Sequence, residues 1–289
     1  MSGIIDSGTM PGALVVLGAG GDVGIGVVEA ALDSGRTVVA IGMDGAARHA
    51  LLADRPQARL TAIDGAIASD ADAAALALRL RALPIRIDGV IASLAGAHPC
   101  GRLMDEPAEV LQRTLDQDLL PHLFAARHLL PLLAEDGAGY VLVGGPGGRY
   151  PWAGYGHCSI AAAALRMMAR VLHDEAGRQG QRVQLLSMDA PLGAEASTEA
   201  VALGHRALAM LEAARRSCPA PIVDYAASLT SGVIASAPPS TASSPARRQR
   251  GRAASPTDVL PARDLRAARA LLGAIEFPTS PGSFHDEHC

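Results

Sequence analysis

Short apolar runs rich in β-branched residues recur along the first two thirds of the chain, each followed by a longer stretch with helical spacing. They are LVV at 14–16, TVVAI at 37–41, LTAI at 60–63, GVIAS at 89–93, YVLV at 140–143 and RVQLLS at 182–187. Apolar residues at nearly every position, rather than at alternate ones, belong to strands covered on both faces. Connections long enough for a helix then predict right-handed βαβ crossovers. The expectation is six strands joined by five crossovers, an α/β fold built on a doubly wound parallel sheet in a single domain.

After Pro191 the pattern loses regularity. Residues 194–216 read as a helix, and 222–234 supply a last strand or helix. The stretch 236–256 is a Pro/Ser/Ala run carrying Arg247, Arg248, Arg250 and Arg252, the composition of a disordered linker with solvated charges. A short amphipathic helix at about 258–274 follows, and the chain ends in HDEHC. That ending has metal-binding residue types, but on a frayed terminus it reads as unordered and not as a site. The expected organisation is a lead-in at 1–11, a domain at 12–235, a linker at 236–257, and a short helix with its tail at 258–289.

Composition narrows the partners. At 289 residues and 49% hydrophobic content the chain can bury a large core, while aromatics are only 3% and the formal net charge is -4. Few aromatics and no basic excess argue against nucleic-acid binding. Cys100, Cys158, Cys218 and Cys289 stand at neither metal-ligand nor redox spacing, so no metal site and no disulfide framework is expected. The opening MSGIIDSGTMPG has no basic n-region followed by an apolar run, and no stretch has the length and hydrophobicity of a membrane helix. A cytoplasmic protein without membrane contact is expected.

The first chemical signal is VVLGAGGDVGIGVVEAALDSG, directly after the first strand. Gly18, Gly21 and Gly24 form GxxGxxG, and Gly18 with Gly20 permits a GxGxxxG register. In either register the backbone can turn tightly and approach a pyrophosphate, whose charge is met by free N–H groups at the helix N-terminus. Asp22 has to face outward or cap the helix, because a carboxylate inside that loop would repel phosphate. At the end of the second strand, AIGMDG places Asp44 slightly late for the acid that bonds ribose hydroxyls in NAD sites. It tilts the choice between NAD and NADP to NAD, the alternative being a helix cap. Asp64 closes the third strand, where it reaches an adenine or serves a turn.

Together these elements resemble the short-chain dehydrogenase/reductase family, over about residues 12–193, and so imply a Rossmann-type domain that binds NAD or NADP. The glycine turn is similar to that family's TGxxxGxG loop, with Leu17 for threonine and Asp22 for the middle glycine. SLAG at 93–96, including Ala95 and Gly96, sits where the family has NNAG, and 115–133 resembles the long helix carrying a structural asparagine, here Asp118. YVLVGGPGG matches the strand ending in the catalytic serine, with Gly144 or Gly145 at the serine position. Tyr155 matches the tyrosine of YxxxK, and Ser159 stands where lysine is expected. The resemblance also implies a homodimer, paired through 115–133 and 155–172.

In that family tyrosine is the general acid/base, serine holds the substrate oxygen, and lysine lowers the tyrosine pKa and grips the ribose. Without a nearby cation a tyrosine keeps a pKa near 10, so roughly one molecule in a thousand is phenolate at pH 7. Alcohol oxidation loses its base, whereas carbonyl reduction needs only the neutral phenol as acid. On a helix Ser159 would share a face with Tyr155 and reach toward it or the ribose, without charge. His157 reads as a surface histidine, and His98, at the sheet edge where ligands bind, as the better candidate. Three functions stay open: reduction of a small carbonyl substrate at an altered site, a catalytically silent nucleotide-binding or scaffold protein, and a non-redox isomerase, dehydratase or cyclase using Tyr155 as acid.

Overall fold

A computed structural model describes residues 12–98, 100–133, 138–192, 196–213 and 220–226. The lead-in at 1–11, the domain end at 235, the linker with its arginine cluster, the helix expected at 258–274 and the HDEHC end lie outside the described residues.

The six expected strands are all present: β1 Gly12–Leu17, β2 Thr37–Ile41, β3 Leu60–Ile63, β4 Arg86–Ala92, β5 Gly139–Gly144 and β6 Arg182–Met188. A seventh, β7 Ile222–Tyr225, resolves the open reading of 222–234 as a short strand paired in parallel with β6. The order is β3-β2-β1-β4-β5-β6-β7, every neighbouring pair parallel. This is a doubly wound Rossmann-type sheet. Its order reverses between β1 and β4, which opens a crevice at their carboxyl ends.

The helices are α1 Asp22–Asp33, α2 Gly45–Ala53, α3 Asp70–Arg81, α4 Ala108–Asp118, α5 Leu120–Leu129, α6 Gly156–Gly177 and α7 Ala196–Ala213. Val27, Val28 and Leu32 of α1, Leu51 of α2, and Leu203 and Leu211 of α7 pack on one sheet face. Leu76 and Leu80 of α3, Ala125 and Leu129 of α5, and Leu165 and Ala169 of α6 cover the other. Small residues at many of these contacts let helix and sheet approach closely, as the low aromatic content requires. No helix among the described residues is long and apolar enough to cross a membrane.

The helix expected over 115–133 is broken into three pieces. α4 stops at Asp118, α5 begins after Leu119 with Pro121 in its first turn, and a 3₁₀ turn containing Pro131 spans Leu130–Leu132. Proline is tolerated in a first helical turn, where its missing N–H has no intrahelical acceptor. The break leaves Asp118 at a helix end beside the carboxyl edge of the sheet.

Candidate active site

Two cavities lie at that edge and share Leu94 and Ala95 in their walls. The larger, of about 410 Å³, is lined by Gly18, Gly20 and Gly21 of the glycine turn, Gly42 and Asp44 after β2, Gly65 to Ile67 after β3, and Ser93 to Ala95 after β4. Gly18 has φ +70, and a Cβ there would lie 2.0 Å from the Ser93 carbonyl oxygen. Gly24 does not face the cleft. A Cβ on it would meet the Gly18 carbonyl oxygen at 2.0 Å, so its role is to seat α1 against the turn. Gly21 is the N-cap of α1 and makes no side-chain cap bond, and the space around it is open. A diphosphate fits here: backbone can approach it, and the first N–H groups of α1 lead to it. Asp22 is exposed and outside the lining, so it does not oppose such a ligand.

Asp44 lines this cleft and also caps α2, accepting from the Ala47 N–H at 2.7 Å through Oδ1. The helix-cap alternative is thus the one made by a hydrogen bond, and the same carboxylate borders the cleft. Asp64 is not brought into the cleft. It is exposed, its carbonyl accepts from Arg79, and the lining passes through its successors.

The smaller cavity, of about 140 Å³, is mostly apolar. Gly96, Val143, Pro146, Trp152 and Leu165 stand in its wall, and its polar end is His98 with Asp118. Asp118 Oδ1 accepts from the Gly96 N–H at 2.7 Å and from His98 Nε2 at 2.8 Å. The carboxylate thus fixes the loop after β4 and the imidazole together, leaving Nδ1 of His98 as the ring nitrogen for a ligand. Gly145 lines the cavity with nothing within 4 Å of a would-be Cβ, whereas Gly144 is packed on Leu185 and Leu165. Of the two candidates for the family's serine position, it is Gly145 that faces the cavity.

Tyr155 and Ser159 are not where the motif match places them. The face of α6 that lines the cavity is Cys158, Ala162 and Leu165, at helical spacings of four and three. Tyr155 is the N-cap of α6, outside the lining, and stacks on Trp152 with ring centroids 4.0 Å apart. The adjacent Cys100 raises its phenol pKa above the usual value, so it is held as a neutral phenol. Ser159 is buried. Its hydroxyl donates to the Tyr155 carbonyl at 3.1 Å and accepts from the Trp152 N–H at 2.9 Å. Both bonds are local, so the hydroxyl holds the chain turn into α6 and does not reach the phenol or a ribose.

His157 is a second correction, being 1% exposed rather than on the surface. Its ring meets that of His98 edge-on with centroids 5.9 Å apart, and neither of its nitrogens has a hydrogen-bond partner among the described residues. The Cys158 thiol is pushed up to about 11, chiefly by burial and further by Asp118, which favours the neutral thiol in the metal-free chain. Behind the cavities, His122 on α5 is fully buried and donates through Nε2 to the Leu94 carbonyl at 3.0 Å. Burial drives its pKa down to about 4, only partly offset by that bond. Sequence reasoning had passed over His122, because a lone histidine on an apolar helix carries no motif.

The comparisons with known proteins agree with this architecture. A sequence profile of a family described as enoyl-(acyl carrier protein) reductase matches residues 18–233. A short-chain type dehydrogenase/reductase from Mycobacterium ulcerans superposes with a TM-score of 0.64 at 16% identity, over 75% of this chain and 88% of that one. A short-chain dehydrogenase from Mycobacterium smegmatis gives 0.64 at 20% identity over 77% and 94%. An NADPH-bound short-chain oxidoreductase from Pseudomonas aeruginosa PAO1, described as containing an atypical catalytic center, gives 0.64 at 20% identity over 76% and 97%. A search of curated proteins finds no match. The chain belongs to the short-chain dehydrogenase/reductase family, whose members are NAD(P)-binding oxidoreductases.

Proposed function

We propose that this protein reduces a small carbonyl compound at the expense of a nicotinamide dinucleotide, with His98 rather than Tyr155 serving the substrate oxygen. The observation that carries this reading is the Asp118–His98 pair, joined at 2.8 Å in the wall of a cavity that abuts the glycine-lined cleft. Gly18, Gly20, Gly21 and the start of α1 would hold the diphosphate, and Asp44 a ribose. The dinucleotide supplies hydride when bound. In its doubly protonated form His98, anchored through Nε2–H on Asp118, would hand the Nδ1 proton to the carbonyl oxygen and be left as the neutral Nε2–H imidazole, and the apolar wall excludes water from that transfer. A lining of about 140 Å³ suits a compact substrate better than a long acyl chain. Trp152 stands in the wall, so its fluorescence should be quenched by NADH, and NADH absorbance should fall when small ketones and aldehydes are added. Binding without consumption across such a panel would favour a silent nucleotide-binding protein instead.

For the cofactor we propose NAD(H). A carboxylate in the cleft wall opposes the extra phosphate of NADP(H) and can accept from ribose hydroxyls. Asp44→Ala is therefore expected to weaken NADH binding roughly tenfold. It should also bring the NADH and NADPH dissociation constants close together, measured by calorimetry on the same preparation. The lost α2 cap should cost about 1 kcal/mol of stability besides. A native protein that prefers NADPH would overturn the assignment.

A homodimer is also proposed. Ile160, Met167 and Val171 lie along one face of α6 and remain exposed, Met167 by 56%, and Leu123 of α5 is exposed too. Met168, its neighbour, packs on the core instead. Sedimentation of the full chain should give a dimer that Met167→Glu converts to monomer; a native monomer at tens of micromolar would dispose of the interface.

A further inference from the structure

We infer that His98, His157 and Cys158 form a binding site for a zinc-like divalent cation at the inner end of the small cavity. One ligating atom from each of the three lies within 4.8 Å of the others. A tetrahedral ion with metal–ligand distances of ~2.0–2.3 Å holds its N and S ligands roughly 3.3–3.8 Å apart, so closure asks for side-chain shifts on the order of 1 Å.

Proximity alone would not suffice, but His157 adds an independent observation. It is 1% exposed, and both of its ring nitrogens lack a hydrogen-bond partner among the described residues. A neutral imidazole carries one donor and one acceptor, and leaving both unmade in the interior is costly. A cation on one nitrogen turns part of that cost into a bond. His98 is already prepared in the manner of metal-bound histidines, with Nε2 held by the Asp118 carboxylate and Nδ1 left over. Two imidazoles and one sulfur are a borderline-soft donor set that suits zinc over magnesium or calcium, and the adjoining cavity provides space for a fourth ligand. The three residues come from the loop after β4 and the first turn of α6, a separation along the chain that explains why no ligand spacing marks them in the sequence.

The site goes beyond the proposed reduction and does not depend on it. A cation takes the same Nδ1 of His98 that the reduction uses, so carbonyl reduction belongs to the metal-free chain.

The test is titration of the purified, chelator-stripped full chain with cobalt(II). One equivalent should give the near-ultraviolet thiolate-to-cobalt band and strong visible bands of a tetrahedral ion, both abolished by one equivalent of zinc. Cys158→Ser and His157→Gln should each remove the thiolate band or weaken binding at least a hundredfold, while Tyr155→Phe and a His288→Ala/Cys289→Ser variant of the tail should keep it. Because His157→Gln can disturb packing, thermal unfolding of the native chain is also followed with and without zinc, which should raise the midpoint of the native chain and leave that of Cys158→Ser nearly unchanged. No thiolate band, a band that survives Cys158→Ser, or one lost with the tail residues would overturn the site. A chain that ignores NADH yet gives the cobalt band keeps the site and loses the oxidoreductase proposal; the converse result separates them in the other direction.

Discussion

His98→Gln is expected to lower kcat for carbonyl reduction by a factor of roughly 10² to 10⁴, the usual value of a positioned general acid. Asp118→Asn should lose a large part of the same factor. An amide oxygen can still accept from the Gly96 N–H, so the loop is retained while the negative charge beside the imidazole is removed. Neither residue makes the glycine-lined cleft, so quenching of Trp152 by NADH should be nearly unchanged in both variants. Tyr155→Phe should leave kcat within a few-fold, because the phenol stacks on Trp152 outside the cavity lining. Steady-state kinetics on the three proteins decide the matter. Loss of turnover in Tyr155→Phe with retention in His98→Gln would return the tyrosine to the chemistry.

The second large effect is on stability in mild acid. His122 is fully buried with a pKa of about 4, against about 6.5 in an unfolded chain. Between those values the unfolded chain binds the proton and the folded one does not, so stability rises with pH across this window. The contribution is complete above about pH 6.5, drains away as the pH falls through 4, and amounts to about 3 kcal/mol. Urea unfolding from pH 7.5 to 4 should show the decline. His122→Gln should be less stable at neutral pH, having lost a fitted donor to the Leu94 carbonyl, but should lack that segment of the pH dependence. Equal slopes in the two proteins would count against this source of acid sensitivity. Leu94 borders both cavities, so ligand binding should weaken in parallel with the loss of the fold.

Much of the fold could be read from the chain because strands covered on both faces are apolar at almost every position. β7 was ambiguous for the opposite reason: IVDY is short and only half-buried, at an edge. The cleft was legible in Gly18, Gly20 and Gly21, since the reason for glycine there is local backbone geometry. The small cavity was not. YxxxK-type spacing identifies residues one turn apart but leaves open where the helix begins and hence which way it is phased. With Tyr155 as N-cap, α6 turns Cys158 and Ala162 to the cavity and buries His157. Asp118 was found by its motif position, but a motif position does not fix the direction of a side chain, and its grip on His98 and Gly96 at the end of α4 was not legible.

The two local bonds of Ser159 bear on anyone hoping to graft the family's missing cation back onto this scaffold. Lysine at 159 would start from a buried position beside Gly147, packed closely enough that a Cβ added to that glycine would fall 2.5 Å from Ser159 Oγ, and it would undo the entry into α6. Ala162 is the residue that already looks onto the cavity, one turn beyond Cys158. An ammonium meant to meet a bound nucleotide in this fold belongs on the alanine, three residues past the place the linear motif marks for it.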